Sequence, residues 1–267
     1  MEKIVIITGA TSGIGRELKH RFEKDGSIVY ALSLENLDNE SNFIKCNITN
    51  ETEINSAIEY IVQKHGKIDV LVNNAGYGLF GAAEILPTEQ VEKQMDTNFL
   101  GAYMMSKECL KYMQKGAKII NISSACALFP LPYRSMYCVS KAAVSTFTDC
   151  LKMELKPLNI DVTAICPGDI KTPFIKNKVK IIETNEKYQD RIQNACDYVD
   201  SKNDKRMTID YAVGKIYKIA NKCKLKPMYI IGGKYKMLYF LTRFAPKSWY
   251  LNIVEKHFGG HKKLKKD

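Results

Sequence analysis

A short apolar run, Lys3-Ile4-Val5-Ile6-Ile7-Thr8, passes directly into Thr8-Gly9-Ala10-Thr11-Ser12-Gly13-Ile14-Gly15, and a helical pattern follows to about Lys24. No other stretch narrows the fold so much. A near-continuous apolar run of this length is what a parallel strand covered on both faces requires. Glycines placed between a strand and a helix let the backbone come close to a pyrophosphate, with the helix N-terminus facing it. The bland alternative is a tight turn and nothing more, but the position after the first strand favours the anion-binding reading.

The remainder alternates in the same way. Residues 27–33 and 42–46 read as the second and third strands, 51–64 as a helix, and 68–72 as a fourth strand entering Asn73-Asn74-Ala75-Gly76. A helix is expected over 95–115, a buried strand over 118–123, and a second helix from near Met136 to Lys156. A sixth strand, 161–166, ends in Pro167-Gly168-Asp169-Ile170-Lys171-Thr172-Pro173; a helix capped by Thr208 reaches Lys222, and 228–231 form a last strand. This is an α/β pattern: one Rossmann-type, doubly wound domain over 1–233, with a seven-stranded parallel sheet and helices on both faces. Residues 174–206 are polar and weakly patterned, as a substrate-covering insertion would be. Residues 234–267 form a helical extension.

Composition bounds the setting. A chain of 267 residues, 45% hydrophobic, suits one full α/β core. Its eight cysteines, at 46, 109, 126, 138, 150, 166, 196 and 223, make no C-x-x-C or zinc spacing, so no metal site is expected. The start has no basic-then-apolar signal pattern and no apolar run is long enough to span a bilayer, which together read as cytoplasmic. The net charge is +11, but from Lys222 onward there are 12 Lys/Arg against Glu255 and Asp267. The basicity therefore belongs to the tail, and no nucleic-acid partner is expected of the body.

One stretch concentrates reactive side chains. Ser124 stands at the exit of the 118–123 strand, and Tyr137 and Lys141, four apart, share a face of the next helix. A phenol acting as acid or base at neutral pH must drop about three units from its usual pKa near 10, roughly 4 kcal/mol. One ammonium about 4 Å away supplies about that much at an effective dielectric of ~20. The same Tyr/Lys spacing recurs at Tyr60/Lys64, Tyr103/Lys107, Tyr198/Lys202 and Tyr211/Lys215, where a solvated helix face is the simpler reading. Only Tyr137/Lys141 follows a buried-strand pattern with a serine at its exit.

In order and spacing, TGATSGIG, NNAG, Asn98, Ser124, Tyr137-x-x-x-Lys141 and PG-x-x-x-T over residues 3–232 resemble the short-chain dehydrogenase/reductase family, with the YGLFG run and long tail closest to hydroxysteroid- and retinol-type members. The resemblance implies an oxidoreductase that moves a hydride between NAD(P)(H) and a secondary alcohol or ketone. Tyr137 would be the acid/base, and Lys141 would lower its pKa and bind the nicotinamide ribose. Ser124 would orient the carbonyl, and Asn98 would hold a relay water. It further implies that Gly9, Ser12, Gly13, Ile14 and Gly15 face the pyrophosphate. Asn74 and Ala75 would lie along the adenosine, Ser33 and Asn47 near the ribose and adenine, and Ile170 and Thr172 near the carboxamide. The alternative is a non-enzymatic NAD(P)-binding regulatory or sensing protein on the same fold.

Two departures bear on the cofactor. Asn47 stands where the family often has Asp, and Leu34 where NADP-preferring members often carry Arg. With Glu35, Asp38 and Glu40 nearby and no base from 27 to 44, the balance leans slightly to NAD(H). Tyr77, Leu79 and Phe80, the stretch Leu128 to Tyr133, and Phe174 and Ile175 are the expected pocket walls, and they suit a small hydrophobic, steroid- or lipid-like substrate. The helices at 95–115 and 136–156 are expected to pair copies into a homodimer or homotetramer. The tail reads as two amphipathic helices with Pro246 in the first turn of the second. Packing on the body, lining an apolar pocket, and peripheral contact of the basic tail with an anionic membrane all remain open for it.

Overall fold

The computed structural model describes residues 2–35, 42–175, 177–183, 186–201 and 206–261. The expected acids Asp38 and Glu40 and the terminal lysine run 262–267 lie outside these residues.

The first apolar run forms β1 (Ile4–Thr8), followed by α1 (Gly13–Lys24), β2 (Ile28–Ser33), β3 (Phe43–Lys45), α2 (Glu51–His65) and β4 (Ile68–Asn73). Then come β5 (Leu79–Phe80), α3 (Thr88–Met95), a π-helical turn (Asp96–Leu100), α4 (Gly101–Leu110), β6 (Met113–Ile122) and α5 (Ser135–Leu155). The chain continues with β7 (Asp161–Pro167), β8 (Val179–Lys180), α6 (Arg191–Asp200), α7 (Ile209–Ala220), β9 (Met228–Ile231), α8 (Gly233–Thr242) and α9 (Lys247–Phe258).

Seven strands pair in parallel in the order β3-β2-β1-β4-β6-β7-β9. Alternate residues of each strand serve opposite faces. Ile4 and Ile6 pack with Ile54, Ile58, Met105 and Leu151 of α2, α4 and α5, whereas Val5 and Ile7 pack with Leu18, Phe22, Val213 and Ile216 of α1 and α7. These side chains are almost wholly buried, each contributing about 1.5–3 kcal/mol by removal from water. The chain leaves β1 toward β2 and β3 on one side and, from β4, builds outward on the other. That reversal opens a crevice at the carboxyl ends of β1 and β4.

The structure corrects the sequence reading in three places. The helix expected over 95–115 begins earlier, at Thr88, widens into a π turn around Asn98, and stops at Leu110. Residues 113–115 belong instead to β6: Ile68 pairs Met113 while Val70 pairs Lys118, so between these pairs one residue of β4 faces four of β6. Gly116 sits inside this bulge with φ +93°, a conformation a helix cannot hold. Second, the described residues of the 174–206 insertion share a small core of their own. Its β8 pairs β5, and Ile192, Ala195 and Cys196 of α6 close on Phe80 and Ala82. Third, Pro246 is the N-cap of α9 rather than a residue of its first turn.

Candidate active site

The Gly-rich turn is held open by backbone geometry. Gly9 (φ +64°) and Gly13 (φ +56°) adopt left-handed conformations, and a Cβ on Gly9 would lie 2.8 Å from the Cα of Ala75. Gly15 serves a different end: a Cβ there would meet the Gly9 carbonyl at 2.4 Å, so it fixes close packing and does not itself line the crevice. Ser12 is the N-cap of α1, yet its hydroxyl makes no capping bond, and no acid stands in the first turn. The positive end of the helix is thus left for an anion. Asn74 ties the exit of β4 to this turn. Its amide donates to the carbonyls of Thr8 and Gly9, both at 3.0 Å, and its backbone N–H donates to Thr8 Oγ1 at 3.0 Å.

At the exit of β6, Ser124 is extended and 9% exposed; its Oγ accepts from Cys126 N–H at 3.1 Å. The Tyr137 phenol, on the first turn of α5, lies near enough for Ser124 to lower its pKa. One turn later Lys141, 4% exposed, donates through Nζ to the Ile122 carbonyl at 2.9 Å. The strand exit and the helix start therefore bring the three predicted side chains together.

Their electrostatics differ from the sequence expectation. Burial pushes the Tyr137 phenol well above its ordinary value, against smaller lowering effects from Ser124 and the Arg134 guanidinium. Burial likewise pulls the Lys141 ammonium down, to about 8. Arg134 adds a lowering effect on the phenol that the sequence reading did not include.

Asn98 is 1% exposed and sits behind this group. Its Oδ1 accepts from Tyr77 N–H at 2.9 Å, and its Nδ2 donates to Tyr77 O and Ser140 Oγ, both at 3.0 Å. The wide π turn coincides with this residue, as such turns do where a side chain must be aimed inward. A Cβ on Gly76 would lie 2.8 Å from Asn98 Oδ1 and 3.4 Å from Lys141 Nζ, so both approach the same glycine.

A continuous cavity of about 560 Å³ runs across these residues. Gly9, Ser12, Gly13, Ile14, Ser33, Asn47, Asn74, Ala75, Ile170 and Thr172 line it together with Ser124, Tyr137 and Lys141. Of the expected substrate walls, Tyr77, Leu79, Phe80 and Phe174 line it, the Phe174 ring 5.9 Å from that of Tyr137. Leu128 and Tyr133 do not. Tyr133 packs on Phe80 at 6.2 Å and donates to the Gly259 carbonyl at 3.3 Å, bracing the C-terminal segment instead. Phe129 and Leu131, within the expected 128–133 stretch, do line it, and Arg134 lines it just beyond that stretch.

Sequence reasoning missed Cys126, Arg134, Asp169 and Tyr235 as lining groups, while Leu238, Val254 and Phe258 of α8 and α9 take up the pocket-lining alternative left open for the tail. Arg134 and Cys126 had a weak signal, being three residues before Tyr137 and two after Ser124. The Cys126 thiol is drawn below its ordinary value, chiefly by the neighbouring Cys138 thiol and then by Arg134. Tyr235 anchors α8 by donating to Asp169 Oδ2 at 2.6 Å.

The sequence profile described as short chain dehydrogenase matches residues 3–182. The chain belongs to the short-chain dehydrogenase/reductase family. It is accordingly an NAD(P)-dependent oxidoreductase. Within the family it is 38% identical over 194 residues, 70% of this chain and 72% of the relative, to a 3-ketodihydrosphingosine reductase of Bacteroides thetaiotaomicron. It is 31% identical over 256 residues to VdlC of Helicobacter pylori, a probable short-chain type dehydrogenase/reductase, covering 92% and 94%. The solved structure of ElxO with NADP bound is 30% identical, with a TM-score of 0.73 over 89% of this chain and all of that one. The positive-φ glycines, the uncapped Ser12 and the open N-terminus of α1 fit the dinucleotide such enzymes bind.

Proposed function

We propose that the enzyme interconverts a secondary alcohol and a ketone on a hydrophobic, lipid-like substrate. The observation that carries this is the gathering of Ser124, Tyr137 and Lys141 in one cavity that is also walled by Leu79, Phe80, Phe129, Leu131, Phe174 and Leu238. Gly9, Ser12, Gly13 and Ile14 would hold the pyrophosphate, Ser33, Asn47, Asn74 and Ala75 the adenosine side, and Lys141, Ile170 and Thr172 the nicotinamide side. When bound, the nicotinamide supplies or accepts the hydride. In the reductive direction Tyr137 gives its phenol proton to the substrate oxygen, and Ser124 donates to the same oxygen as charge gathers on it. A phenol kept neutral by burial is armed as the acid. Lys141 passes a proton back toward Tyr137, with a relay water beside Asn98, close to the glycine that both residues approach.

The sphingolipid-related relative supports a long-chain ketone over a sugar. The test is a screen of long-chain amino-ketones, steroids, retinoids and polyols with NADH and NADPH. Turnover confined to the apolar substrates, with a modest preference for NADH given Leu34 and Glu35 at the cavity edge, is the expected result. Activity on polyols alone would overturn the substrate class, and a tenfold preference for NADPH would overturn the cofactor preference.

The exposed Leu100, Tyr103, Val139 and Met153 on the π turn, α4 and α5 suit pairing of two copies. Light scattering is expected to return at least twice 30.3 kDa; a monomer at micromolar concentration would remove that proposal. All eight cysteines are free, which fits the reducing cytoplasm as the working compartment.

A further inference from the structure

The two C-terminal helices do two things at once. On their inner side Leu238 of α8 and Val254 and Phe258 of α9 line the cavity. The segment is fixed there by Tyr235 on Asp169, by Tyr133 on Gly259 at 3.3 Å, by Asn194 on Gly260 at 3.3 Å, and by the Phe258 and Tyr198 rings at 5.6 Å. On their outer side neither helix buries a residue. Met237 (63% exposed), Phe240 (62%), Leu241 (52%), Phe244 (77%) and Trp249 (60%) are left facing solvent. A set of large apolar side chains with polar neighbours marks a docking surface rather than ordinary surface scatter.

The charges decide what docks. Among residues 233–261 the exposed cations are Lys234, Lys236, Arg243, Lys247 and Lys256, against the single acid Glu255. That acid is already engaged by Arg191 at 3.5 Å and by His261. The sequence adds Lys262, Lys263, Lys265 and Lys266 beyond. A second copy placed on this face would oppose cation to cation. An anionic bilayer offers the opposite sign, and each Lys or Arg near it contributes about 1 kcal/mol. Aromatic and aliphatic groups flanked by cations are the composition of a helix that lies in the lipid interface.

We infer that the outer face of α8 and α9 rests on an anionic lipid surface, so that a lipid-like substrate enters the cavity past helices already in contact with the bilayer. The entry step rests on the substrate reading proposed above; the surface does not. Full-length protein is mixed with phosphatidylcholine vesicles with and without phosphatidylglycerol and sedimented, at low and high salt. Binding is expected only to the anionic vesicles and is expected to weaken with salt. The double variant Phe240→Glu/Phe244→Glu, both residues exposed and outside the cavity, should lower partitioning about tenfold or more. It should keep its thermal transition and its turnover of a short, water-soluble ketone, while losing turnover of vesicle-borne ketone. Wild-type protein that ignores anionic vesicles, or a double variant that binds as wild type, overturns the surface. A double variant that instead dissociates an oligomer in light scattering shows a second copy on this face and overturns it too. Vesicle binding without turnover of any long-chain ketone leaves the surface standing and removes the substrate reading.

Discussion

Tyr137→Phe is expected to lower turnover by about 10²–10⁴-fold on every substrate the enzyme accepts, the range general acid–base catalysis supplies. The substitution removes one oxygen and little else. Tyr137 is 8% exposed and its ring faces Phe174, so phenylalanine keeps the packing. The loss should fall on kcat, because the proton is needed only as charge develops on the substrate oxygen. The nucleotide-holding turn at Gly9–Ile14 is separate from the phenol, so titration with NADH should give an unchanged dissociation constant. Both halves of that result matter. Unchanged turnover removes Tyr137 from the chemistry, and lost nucleotide binding assigns it to positioning the cofactor.

The pattern of order was legible because it follows from periodicity and from residues with few substitutes. Short apolar runs gave the seven strands of the main sheet, and glycines needing φ above zero marked the turn after β1. Ser124, Tyr137 and Lys141 could be placed together because a strand exit and a helix face are local geometry. The failures share a cause: each depended on partners distant in sequence. The bulge that turns residues 113–115 into strand is set by pairing with Ile68, and only Gly116 hinted at it. The π turn answers the three bonds Asn98 makes to Tyr77 and Ser140. Tyr133 left the expected pocket wall because Gly259, 126 residues on, accepts its hydroxyl. The two-sided use of α8 and α9 was open as alternatives in the sequence, since an amphipathic stripe does not say which neighbour covers it. The direction of the Tyr137 shift was likewise hidden, because desolvation is a property of the assembled cavity.

Lys141→Met is expected to give a protein that is inactive yet more stable at neutral pH. Burial lowers the Lys141 pKa from 10.5 to about 8, so at pH 7 the folded state carries a desolvated ammonium, at a cost of about 3 kcal/mol. Methionine fills similar space without charge. Against that gain, the Ile122 carbonyl loses its Nζ donor, which costs about 1–3 kcal/mol. The net expectation is a stabilisation of about 1 kcal/mol at pH 7 in urea unfolding without cofactor. The pH dependence is the sharper signature. Below about pH 8 both folded and unfolded states hold the lysine proton and the cost is constant. Between about 8 and 10.5 the folded state releases it while the unfolded chain still binds it, so the wild type gains stability as pH rises. Buried thiols such as Cys46 and Cys166, pushed up to about 11, act in the opposite direction above pH 9. The difference between the two proteins, rather than either slope, therefore carries the result. The advantage of Lys141→Met should shrink between pH 7 and pH 9.5 and pass toward a deficit as the missing Ile122 bond comes to dominate. A constant difference across that range would mean that Lys141 is not the desolvated cation the structure shows, and that its proton is not poised to resupply Tyr137.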